Sequence, residues 1–152
     1  MSEPVVIIGL RDVLRKLNYF RHDLGSRALM VEISEYVIFK IQTRTAAGEE
    51  VDGSPFKGYS PQYALFRASK QRPVDKVDLN FFGTMMSSIT YDATDDETSI
   101  FFLNVSDREG TPVPLKAFFL NEQREFFGMS EDDIQFIRGM IKKRIKQLKR
   151  KR

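Results

Sequence analysis

Apolar positions along the chain fall into two rhythms, and each predicts an element. Leu10, Val13, Leu14, Leu17 and Leu24 recur at helical spacing, which predicts a helix over 10–24 ending near Gly25. Ser26 is a natural N-cap for a second helix from 27 to about 45, closed by Gly48. Leu29, Ile33, Val37 and Ile41 form one stripe of that helix, while Met30, Val31, Ile38 and Phe39 spread around it. A helix apolar nearly all round is buried on several sides, so it is read as a central core helix, part of which can meet another subunit.

Residues 48–60, GEEVDGSPFKGYS, read as a loop. Ser60 followed by Pro61 has the form of an N-cap with proline at the first helical position, opening a short helix through 62–69. Beyond Pro73 the pattern changes to period two. Ile89, Tyr91 and Ala93 alternate with Thr90 and Asp92, a half-buried strand, and Asp95-Asp96 supplies a turn. The returning strand, 99–105, is apolar on both faces and is expected to be central or covered by a neighbour. A loop over 106–114 follows, and 115–120 is expected as a further strand.

The last rhythm is helical again. Ser130 caps a helix whose first turn holds Glu131, Asp132 and Asp133, facing the positive end of the helix dipole. Asp133 sits where a longer Glu would close a capping box, so an incomplete box is expected. Met129 is placed to staple onto Ile134, and Ile134, Ile137, Ile141, Ile145 and Leu148 run on at helical spacing. The expected fold is α+β: two N-terminal helices and a C-terminal helix packed around a small antiparallel sheet, in one domain over 1–152.

Composition narrows the chemistry. With no Cys in 152 residues the chain has no disulfides, thiolate metal sites or cysteine nucleophile. Runs such as Val5-Val6-Ile7-Ile8 are too short to cross a bilayer, so no membrane partner is expected. Glu3 and Pro4 stand where a signal peptide would carry basic residues, so export by that route is not expected. The net charge of +3 hides an asymmetry: residues 142–152 carry eight cations and no acid, leaving 16 cations against 21 acids elsewhere. The body is acidic and the C-terminal helix end is basic.

No catalytic constellation is visible. His22 is the one histidine, and no phosphate loop, nucleophile elbow or zinc-protease motif occurs. Glu49, Glu50 and Asp52 lack the spacing of a calcium loop, and Asp92, Asp95, Asp96 and Glu97 belong to a turn. Neither enzymatic activity nor a cofactor is expected.

Three segments carry a resemblance: VDGSPFKGYSPQYA (51–64), VDLNFFGTMMSSI (77–89) and REFFGMSEDDIQFI (124–137). In these and in element order the chain resembles the phage virion morphogenesis family, the tail-completion proteins of contractile-tailed phages such as Mu. That family's late motif is an Arg, an aromatic pair, Gly, an apolar residue and Ser before an acidic helix start. Arg124, Phe126, Phe127, Gly128, Met129, Ser130, Asp132 and Asp133 match it. Phe56 stands where the family often has Trp, and no Pro precedes Arg124 near Glu122 and Gln123.

The resemblance implies a structural virion protein made in the bacterial host cytoplasm. It would form a homo-oligomeric ring, six-fold in expectation, that completes the tail and allows a head to join. Its partners would be copies of itself and neighbouring tail-tube, terminator or neck proteins, with DNA able to pass through the lumen. Candidate interface residues are Phe56, Arg124, Phe126 and Phe127 of the motifs and Ile38, Phe39 and Phe101 of the apolar surplus. The alternative is a nucleic-acid-binding module using Lys142, Lys143, Arg144, Lys146, Lys149 and Arg150. A small hydrolase, the third reading, rests on scattered acids alone.

Overall fold

The computed structural model describes residues 27–80 and 83–150. The expected helix over 10–24, with His22, and the Ser26 cap lie outside the described residues. Helix α1, Arg27–Ala47, follows from its stripe: Leu29, Met30, Ile33, Val37 and Ile41 are all buried. Each such side chain contributes about 1.5–3 kcal/mol by leaving water. Its end is a Schellman motif, with Gly48 N–H donating to Thr45 O and Glu49 N–H to Arg44 O. Gly48 has a φ of 82°, and a Cβ there would stand 2.9 Å from Lys76 Cγ. Conformation and space therefore both require glycine.

Helix α2, Pro61–Ser69, starts as the sequence predicts, with Ser60 Oγ accepting from Tyr63 N–H. A single turn, α3 (Thr84–Ser87), leads into the hairpin of β1 (Ile89–Ala93) and β2 (Thr98–Phe102). Register pairs Ile89 with Phe102 and Ala93 with Thr98. Ile89, Tyr91, Ala93, Thr98, Ile100 and Phe102 thus share the face on which α1 packs. The sheet has two strands among the described residues, so β2 is not central there. Its outward Phe101 is half-buried.

Helix α1 runs lengthwise along this hairpin. At one end Arg27 Nε donates to Ala93 O beside the turn. Two turns further along α1, the Ser34 hydroxyl and that of Thr98, the register partner of Ala93, bond to each other. At the far end Gln42 Nε2 donates to Met86 O just before β1. Arg27 and Gln42 are about 22 Å apart along α1 at 1.5 Å per helical residue, so the hairpin turn and the α3 end lie toward opposite ends of the layer.

Residues 115–120 are not a strand. They lie in helix α4, Val113–Gln123, which begins with Pro112 and Pro114 around its first turn. LKAFFL is apolar enough to satisfy either period. The outcome is set by Val113 and Ala117, buried one turn apart, with Leu120 packed partly behind them.

Helix α5, Glu131–Arg150, buries Asp133, Ile137 and Ile141. The capping box is complete, contrary to expectation. Asp133 N–H donates to Ser130 Oγ, and Ser130 N–H donates to Asp133 Oδ2 at 2.9 Å. The shorter Asp reaches because it is buried: Arg44 pairs with the same Oδ2 and also donates to Gly128 O at 2.7 Å. One carboxylate thereby joins α1, the 128–130 link and α5.

Burial pushes the Asp133 carboxyl up, but hydrogen bonds from Ser130 and Arg44 outweigh it and hold the group below its ordinary value. A lowered folded pKa means that the unfolded chain binds the proton more readily. This stabilisation is complete above the unfolded value near 3.9 and is lost as pH falls through the folded one. Asp133→Asn should therefore flatten the acid side of the stability profile, checked by melts from about pH 7 to about pH 3.

Candidate interaction surfaces

The late motif folds inward. Asn121 Oδ1 accepts from the backbone N–H groups of both Phe126 and Phe127, turning the chain sharply after α4. The two rings meet Phe102, at centroid distances of 6.3 and 4.9 Å. Phe126 is fully buried and Phe127 nearly so, and Phe56 is buried in the same cluster. Of the alternatives for these aromatics, the body or a neighbour, they pack against the body.

Arg124 is 9% exposed and donates from Nε to Lys57 O and from Nη2 to Gly58 O. Ile38 and Phe101 are half-buried, while Phe39 is exposed. Lys142, Lys143, Lys146, Lys149 and Arg150 are exposed along the last turns of α5, and Arg144 is half-buried.

The uncovered apolar surface lies elsewhere. On α4, Leu115, Phe118 and Phe119 are exposed at i, i+3 and i+4, away from the Val113–Ala117 packing side. Val105 is also exposed, and its carbonyl accepts from Val113 N–H at the start of α4. On α2, Leu65 and Phe66 are exposed, Leu65 at 73%. The FF pair at 118–119 was open to detection in the sequence, but reading the segment as a strand assigns alternate residues to opposite faces and hides the stripe.

Between α2 and α4 lies a cleft of about 690 Å³. Tyr59 stands at its centre between two guanidiniums, with Arg67 Cζ 4.6 Å and Arg124 Cζ 5.9 Å from the ring centroid. Arg67 is 1% exposed and clasps the 73–80 loop, donating to Pro73 O, Asn80 O and Asp78 Oδ1. Burial raises the pKa of the Tyr59 hydroxyl, against the lowering effect of Arg67. Lys57 and Lys116 also line the cleft, Lys116 bonded to Asp107 at 2.9 Å. Leu79, Met85 and Leu120 form its apolar wall. Nothing in the local sequence marks Arg67 for burial, because its partners come from a loop six to thirteen residues away.

The described fold is an α+β layer in which helices cover a two-stranded hairpin and leave apolar helix faces open beside a cationic cleft. Among the described residues, no helix is long and apolar enough to cross a membrane. Compared with models of known protein families, with curated proteins and with solved structures, the chain matches none.

Proposed function

We propose that this chain is a structural virion subunit of the phage tail end or neck. It assembles head to tail into a homo-oligomeric ring that completes the tail and allows the head to join. The observation that carries the reading is apolar surface on two different helices, Leu115, Phe118 and Phe119 on α4 and Leu65 and Phe66 on α2. Contiguous exposed apolar faces mark contacts with other chains. Two distinct faces suit a ring, whose subunits meet through unlike surfaces, whereas a two-fold dimer uses one surface twice. The resemblance in 51–64, 77–89 and 124–137 supports the virion context and a six-fold count. Neighbouring tube, terminator or neck proteins would cover the remaining faces.

The test is a reconstruction of the assembled tail together with native mass of the purified chain. Phe118→Ser combined with Phe119→Ser should reduce assembly by about tenfold or more while leaving the melting temperature nearly unchanged. A tail in which this chain stands as isolated single copies, or is missing, would overturn the reading.

The exposed cations of α5 favour a second reading, binding to nucleic acid. In that case affinity for DNA should fall steeply with salt, and truncation after residue 141 should abolish it. DNA binding that survives this truncation would exclude the tail as the contact.

A further inference from the structure

We propose that the cleft between α2 and α4 receives the acidic hairpin turn of a neighbouring copy, around Asp95 and Asp96. The inference rests on the ring reading and assigns its polar contact. Four cations line the cleft, Lys57, Arg67, Lys116 and Arg124. Among the described residues two carboxylates pair with them, Asp107 with Lys116 and Asp78 with Arg67. Arg124 is nine-tenths buried and bonded only to backbone carbonyls, with no carboxylate of the described residues in ion-pair range. A guanidinium so far from water favours a carboxylate partner, and none of the described residues supplies one.

The complementary group lies at the other end of the same molecule. Asp92, Asp95 and Asp96 are exposed at or beside the turn between β1 and β2. The turn is held in shape by Thr94, whose N–H donates to Glu97 O and whose Oγ1 accepts from Glu97 N–H. Helix α1 sets the separation, bonding the turn end through Arg27 and the α3 end, beside the cleft, through Gln42. Met85 of α3 lines that cleft. A cationic recess at one end and an acidic projection at the other give the subunit a polarity that copies satisfy by stacking head to tail.

Exposed partners allow a charge swap that spares the buried arginines. Lys57→Glu and Asp96→Lys, each alone, should weaken self-association by about tenfold or more at low salt, because like charges then meet. The double variant in one chain should restore assembly. An equal mixture of the two single variants should also restore assembly with the two alternating, since the reversed recess takes the reversed turn and the unchanged recess takes the unchanged turn. Because the chain has no Cys, Lys57→Cys mixed with Asp96→Cys should yield a disulfide only between copies.

If the wild type assembles and both single variants assemble equally well, or the double variant is no better than either, the contact is overturned and the ring stands. If the wild type remains monomeric at about 1 mM and no cross-link forms, the ring reading fails and the contact fails with it.

Discussion

Replacing Asp133 with alanine should destabilise the protein by about 3–5 kcal/mol. Its carboxylate is buried and accepts from Arg44 and from Ser130 N–H, with Tyr36 OH 3.4 Å away. Removing it leaves the Arg44 guanidinium in the interior with Gly128 O as its remaining partner, and opens the capping box of α5. Arg44 Nε already lacks a hydrogen-bond partner, so the arginine has no reserve. Arg44→Leu should cost nearly as much by stranding the acid. Changing both together should cost less than the sum, with a coupling of about 0.5–3 kcal/mol. Urea unfolding of the two single variants and the double one measures this cycle. Strict additivity would show that the pair acts independently.

Phe126→Ala should cost about 3–5 kcal/mol, because the ring is fully buried and the site cannot collapse around the space it leaves. Phe127→Ala should cost about 3 kcal/mol at its slightly less enclosed position. Phe136→Ala is the internal comparison. Its ring is 54% exposed, although it stacks on Tyr36 at 4.3 Å. Such a pair is worth only about 0.5–1.5 kcal/mol beyond the area it buries. Thermal or urea unfolding ranks the three. Equal small effects would mean that 124–137 is not the packed edge the structure shows.

These two expectations differ in how visible they were in the chain. The aromatic pair, its following Gly and the Ser-acid helix start are adjacent in sequence, so their packing and capping roles could be read locally. The Arg44–Asp133 pair joins residues 89 positions apart, and no local pattern announces it. The capping box shows the consequence. Read alone, Asp at that position is too short for a complete box. It completes one because Arg44 helps hold the carboxylate in place.

Helices α1, α2 and α5 and the hairpin were legible because each has a single dominant period and a local stop signal. The 3.6-residue stripe of α1 ends at Gly48, Ser60-Pro61 opens α2, Ser130 opens α5, and Asp95-Asp96 turns the hairpin. Residues 115–120 had no dominant period, and only the contact of Val113 and Ala117 with the rest of the core chose a helix. That choice placed Leu115, Phe118 and Phe119 on the outer face. The candidate interface moved accordingly, from Phe56, Phe126 and Phe127, which the core absorbed, to helix faces, of which the one on α4 was hidden by reading 115–120 as a strand. The sequence by itself determined elements held by hydrogen bonds and side chains within a few residues. Tertiary structure alone decided which apolar residues stay in water and which arginines leave it, because both depend on partners brought close only by the folded chain.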